Sequence, residues 1–165
     1  MSDRTLRDAV EGDFESILAL NRAEEQQTSP MDMDKFLHLH SLATYRKVVT
    51  VDGDIAAFIL AMRDGAAYRN DNYDWFAARY ESFLYVDRIV VAADYSGLGI
   101  GSLLYKDLFS YADFLGAEFV CCEYNIEPPN LASKVFHDKF GFQEQGSQRV
   151  ANGAKLVSLQ AVKLI

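Results

Sequence analysis

Residues 88–104 read Arg88-Ile89-Val90-Val91-Ala92-Ala93-Asp94-Tyr95-Ser96-Gly97-Leu98-Gly99-Ile100-Gly101-Ser102-Leu103-Leu104, and their order decides the fold. A buried strand runs into a short polar turn, three alternating glycines follow, and an apolar-periodic helix begins. Such a turn lets successive backbone N–H groups converge at the positive end of a helix dipole, which makes an anion site. Glycine serves there because a Cβ obstructs backbone with positive φ and keeps a phosphate at a distance. The same residues also fit an ordinary strand-to-helix turn; the legible strand and helix on either side favour the anion site.

Three familiar anion loops fail on these residues. A P-loop ends in Gly-Lys-Ser/Thr, whereas this loop ends Gly101-Ser102-Leu103, with no lysine for a γ-phosphate. A dinucleotide fold needs G-x-G-x-x-G after the first strand of a βαβ unit. Counting from Gly97 gives G-x-G-x-G, and counting from Gly99 puts no third glycine in place. The kinase glycine loop needs downstream motifs that this chain lacks.

The loop resembles instead the acetyl-CoA loop of the GNAT acetyltransferase superfamily, Arg/Gln-x-x-Gly-x-Gly/Ala, which Ser96-Gly97-Leu98-Gly99-Ile100-Gly101 overlies. A second stretch, Asn130-Leu131-Ala132-Ser133-Lys134-Val135-Phe136-His137-Asp138-Lys139-Phe140-Gly141-Phe142, resembles that family's Asn-x-x-Ala/Ser-x-x-x-Tyr-x-x-x-Gly-Phe. The two arrive in the family's order, separated by a helix and a strand. There are two departures: Ser96 stands where the family has arginine or glutamine, and His137 where it has tyrosine.

The resemblance implies an α/β (α+β) fold, a mixed, mostly antiparallel sheet flanked by helices with splayed central strands, as a single domain over residues 1–165. It implies acetyl-CoA as cofactor, lying between the strand ending at Val91 and the strand ending near Tyr124. Backbone groups of Ile89 and Val91 would pair with the pantetheine amides as a pseudo-strand. Gly97, Leu98, Gly99, Ile100, Gly101 and Ser102 would cradle the diphosphate, with Asn130 and Ser133 fixing the cofactor arm from the other side. Asn130 fits equally as a helix cap after Pro128-Pro129, and Ser133 as a small packing residue.

Acetyl transfer to an amine requires a proton to leave the ammonium, a polarised thioester carbonyl and a protonated leaving thiolate. Strand alternation puts Tyr85, Asp87, Ile89 and Val91 on one face, so Asp87 is a base candidate. Glu123, on the neighbouring strand, is the other. The duller readings are that Asp87 pairs with Arg88 and that Glu123 caps the Asn125 loop. His137, at the tyrosine position, is a candidate proton donor, set against a half-exposed helix residue with water as the acid. For the acceptor, Asn21, Glu24, Glu25 and Ser29 offer polar groups, and Tyr73, Trp75, Phe76 and Tyr85 an aromatic wall suited to a small cationic amine. Packing of the loop onto the core is the competing account of those aromatics, favoured for Phe76.

The leading reading is therefore an acetyl-CoA-dependent N-acetyltransferase acting on a small-molecule amine or a peptide amino group. A non-catalytic CoA-binding module and a partner-binding protein with an empty glycine turn are the alternatives. A chain of 165 residues holds one domain with a substantial core. The net charge of −8 argues against nucleic acid. No run reaches membrane-span length and Met1-Ser2-Asp3-Arg4 lacks a signal-peptide core, so no membrane partner is expected and the cytoplasm is the default location. A homodimer is compatible with such a chain. Cys121 and Cys122 read as small buried hydrophobes, and with His38, His40 and His137 scattered they form no metal set.

Periodicity predicts strands at 5–9, 45–51, 55–62, 83–91, 119–123, 142–150 and 155–163. Helices are predicted from a Gly12-Asp13 cap with Phe14, Ile17, Leu18 and Asn21 at helical spacing, fading through 24–27 before Pro30; over 32–42; over the Leu104, Leu108, Tyr111 and Leu115 stripe; and over 131–139, the last buried through Ala132, Val135 and Phe136. Residues 68–76 read as an irregular loop ending in a helical turn at 77–80.

Overall fold

The computed structural model describes residues 3–25 and 27–164. Seven strands follow the hydrogen-bonded order β1-β2-β3-β4-β5-β7-β6. They are β1 (Arg4–Asp8), β2 (Tyr45–Val51), β3 (Asp54–Arg63), β4 (Phe83–Val91), β5 (Phe119–Glu127), β6 (Gln143–Val150) and β7 (Lys155–Lys163). The helices are α1 (Phe14–Ala23), α2 (Met33–Leu42), α3 (Asp71–Ala77), α4 (Ile100–Leu115) and α5 (Leu131–Lys139). The β1–β2, β2–β3, β5–β7 and β6–β7 pairs are antiparallel, and β4 and β5 run parallel, as the mixed sheet predicted from sequence requires. The β4–β5 register covers Phe83–Tyr85 against Phe119–Cys121 and goes no further.

The chain forms two compact units, and β4 passes from one to the other at Tyr85/Val86. The first holds residues 1–62 and 86–111. Its core is the continuous apolar run Ala56–Met62 of β3 with Val48 and Val49 of β2, joined by Phe36 and Leu39 of α2 and Leu104 and Leu108 of α4, all buried. An unbroken apolar strand, rather than an alternating one, is what burial on both faces produces. The second unit holds residues 63–85 and 112–165, with Phe76, Phe83, Tyr85, Val120, Cys121 and Leu159 at its centre.

Three sequence expectations need correcting. Residues 71–77 are a helix, not an irregular loop. The Asn70 side chain accepts from the N–H groups of Asn72 (3.0 Å) and Tyr73 (3.2 Å), and Tyr73 and Phe76 bury the inner face. Asp and Asn have poor interior helix propensity, which masks a short helix that owes its existence to its cap and its packing. Second, α5 is rotated from its predicted face. Val135 is 63% exposed and Leu131 70%, whereas His137 is buried. Third, Asp13 holds the N-cap position of α1 without a side-chain cap bond; its carboxylate accepts instead from the Val10 N–H (2.8 Å) and from Arg7 (2.7 and 2.9 Å).

Candidate active site

In the first unit, a 3-10 turn at Ala93–Tyr95 leads from β4 into the glycine segment. Gly97 (φ 76°) and Gly99 (φ 79°) take left-handed backbone, and residues 96–99 are exposed. No atom lies within 4 Å of where a Cβ would stand on either glycine, so conformation rather than crowding is what requires glycine. Helix α4 starts at Ile100, and its first N–H groups have no intrahelical acceptor. Arg4 of β1 reaches this loop and donates from Nη1 to the Leu98 carbonyl at 2.6 Å. A guanidinium thus stands beside a loop whose own arginine position is Ser96, whose hydroxyl bonds back to Ala93 O (2.9 Å). Open space, positive-φ glycines, a helix N-terminus and an exposed cation fit a diphosphate. Ile89 and Val91 lie half-buried on the strand face opposite Arg88 and Val90.

The same unit gathers Asn21, Ser29 and Asp87 around Arg88. Arg88 donates from Nε to Asp87 Oδ2 at 2.7 Å, from Nη1 to Asn21 Oδ1 (3.0 Å) and Ser29 O (3.3 Å), and from Nη2 to Ser29 Oγ (3.2 Å). Both charged side chains are buried, at 5% exposure for Arg88 and 3% for Asp87. Asn21 is wholly buried and its Nδ2 donates to Ser29 O at 2.9 Å. Burial, reinforced by the charge of Arg88, lowers the Lys35 pKa, with Asp87 and Asp32 opposing. Asn21, Ser29 and Asp87 are therefore parts of one internal charge network, while Glu24 lies half-buried just beyond α1.

The second unit brings Glu123, Tyr85 and Trp75 together with residues that sequence reasoning overlooked. The Tyr85 hydroxyl donates to Glu123, making a very short bond to Oε1 and lying 3.0 Å from Oε2. Asn72 of α3 donates from Nδ2 to Glu123 Oε1 at 3.0 Å, and Gln148 of β6 donates to Asn72 Oδ1 at 2.8 Å. Trp75 lies against Gly146, where a Cβ would fall 2.7 Å from the indole Cζ2. Its ring also carries the Arg79 guanidinium at 3.7 Å, so one cation already occupies an aromatic face.

On α5, Asn130 Oδ1 accepts from the Ser133 N–H (3.2 Å), a helix cap. His137 Nδ1 is 2.7 Å from the Ser133 carbonyl and 3.1 Å from Ser133 Oγ. A carbonyl partner requires Nδ1 to carry the proton, which assigns the tautomer. The ring packs edge-on against Phe136 and Phe142 and tilted against Tyr124. Burial lowers its pKa below the ordinary 6.5, opposed in part by the Ser133 carbonyl and Asp138. The imidazole is neutral at pH 7, and its proton is held by the backbone. Beside it, Tyr124, Asn125, Asn130, Leu131 and Ser158 line a hollow of about 190 Å³.

A depressed histidine pKa has a stability consequence. Above pH 6.5 His137 is neutral whether folded or unfolded; below it, the unfolded chain takes up a proton that the folded ring resists, so stability falls with acid. His40, half-buried, acts in the same direction. Urea unfolding between pH 7 and about 5 should show a shallower pH slope for His137→Phe than for the parent, and an identical slope would refute the assignment.

The family model described as "Acetyltransferase (GNAT) family" matches residues 9–142. A phosphinothricin N-acetyltransferase of Streptomyces coelicolor is 45% identical over 62 residues, which are 37% of this chain and 34% of that relative, so the chain matches about a third of its length. The crystal structure of Ard1 from Thermoplasma volcanium superposes with a TM-score of 0.79 at 17% identity, covering 98% of each chain. The acetyltransferase YncA from Salmonella typhimurium, solved with acetyl-CoA, gives 0.72 at 18% identity, over 98% of this chain and 94% of that one.

Proposed function

The chain belongs to the acetyltransferase (GNAT) family, and from that premise we propose that it is an acetyl-CoA-dependent N-acetyltransferase whose residues 1–165 act as one domain. The observation that carries the reading is the exposed pair of positive-φ glycines at the start of α4 with Arg4 beside them. Gly97, Leu98, Gly99, Ile100, Gly101 and Ser102 would hold the diphosphate, Ile89 and Val91 the pantetheine amides, and Asn130 and Ser133 would flank the arm. When bound, acetyl-CoA would supply an acetyl thioester open to attack by an amine nitrogen, with CoA thiolate as the leaving group.

Glu123 takes the proton from the ammonium and Tyr85 steadies the carboxylate. Asp87 neutralises Arg88, His137 sets the packing of α5, and water returns the thiolate proton. The acceptor is a small-molecule amine or the amino group of a peptide, bound near Trp75 and Tyr85. A cytoplasmic location and a homodimer complete this reading. Among the described residues, no helix is long and apolar enough to cross a membrane.

Thiol release from acetyl-CoA across an amine and peptide library tests the activity, with CoA titration by calorimetry alongside. The bound proton of His137 favours one rival, a CoA-binding module; binding of CoA with no release on any acceptor would establish it. Arg4→Ala should raise the CoA dissociation constant by roughly 3- to 10-fold and flatten its salt dependence, as loss of one exposed phosphate partner does. An unchanged constant at low salt would remove Arg4 from the site.

A further inference from the structure

The geometry points to a relay behind the base: we propose that Gln148, acting through Asn72, fixes the Glu123 carboxylate for proton transfer, which makes both positioning residues. The inference rests on Glu123 being the base. An asparagine amide presents an oxygen on one side and an NH₂ on the other, and only the NH₂ is tolerated against a carboxylate. The Gln148 amide decides which side faces Glu123. Its Nε2 donates to Asn72 Oδ1 at 2.8 Å and to the Asp71 carbonyl at 3.2 Å. With Oδ1 held from β6, Nδ2 is turned to Glu123 Oε1 at 3.0 Å.

Asn72 is buried at 9% exposure, where an amide with the wrong side forward would set two acceptors together away from water. Tyr85 completes the arrangement from β4, so donors from two elements grip one carboxylate while a third element sets the orientation of one donor. Facing Glu123 are, among others, the Tyr85 hydroxyl from β4 and uncharged Asn72 from α3, with Leu159 opposite it in the β7 register. On its own strand lies the Cys121 thiol, whose pKa is pushed up by burial and by the Glu123 charge. Both donors favour the charged carboxylate, so its protonation responds to the removal of either.

A simple strap between α3 and β6 would use the same bonds, but its loss would change stability alone. The distinguishing readout is the titration of Glu123 itself, followed by carbon NMR of protein labelled at the glutamate carboxyl and assigned by the signal missing in Glu123→Gln. Asn72→Leu should raise the Glu123 midpoint by about one pH unit, the effect of one hydrogen bond to a charged group. Gln148 is uncharged and half-buried, and Gln148→Met should shift the midpoint the same way by roughly half as much. Midpoints unmoved in both variants would overturn the relay, and Gln148→Met decides the matter if Asn72→Leu fails to fold. Full thiol release by Glu123→Gln would instead overturn the base assignment, leaving the two failures distinct.

Discussion

Glu123→Gln should lower kcat by about 10²- to 10⁴-fold, the contribution of a positioned general base, with CoA affinity and melting temperature close to the parent. The substitution conserves shape and leaves an oxygen to accept from Asn72 and Tyr85, so the loss reports proton transfer rather than collapse of the site. The deficit should shrink as pH rises toward the acceptor amine's own pKa, because solvent then supplies the neutral nucleophile. A deficit constant with pH, or none at all, would rule out Glu123 as the base.

Arg88→Ala should destabilise the protein by about 3 kcal/mol, toward the lower end for a broken buried ion pair. The substitution strips Asp87 of its guanidinium at 3% exposure and withdraws donors from Asn21 and Ser29. The Lys35 charge bears on Asp87 as well, which limits the loss. Adding Asp87→Asn to Arg88→Ala should recover part of the stability, since an amide costs less to bury than a carboxylate without its partner. Chemical denaturation of the two single variants and the double measures the coupling; strictly additive losses would show that the pair is not a unit.

What the sequence disclosed is local. Glycine spacing after a nine-residue apolar strand announced β4, the loop and α4, because those signals lie side by side in the chain. Charge pairing of Asp87 with Arg88 was visible for the same reason. Partnerships across long separations were not. Arg4 meets Leu98, and Gln148 meets Asn72, only after the sheet has formed, and no periodicity encodes either. Helix α3 stayed hidden because its cap and its packing, rather than its propensity, hold it. The missed cue was Asn70, a capping residue followed by Tyr73 and Phe76 at helical spacing. The α5 face was misjudged because an apolar count favours Val135, while two of the aromatic rings against His137, Tyr124 and Phe142, lie outside the helix.

The contact of Trp75 with Gly146 restricts how this chain can change. A Cβ added at residue 146 falls 2.7 Å from the far edge of the indole, so Gly146→Ala should displace the Trp75 ring at a cost in stability that Trp75→Leu relieves. Positions 75 and 146 are therefore coupled, and pairwise variant libraries scored for thermal survival would expose that coupling.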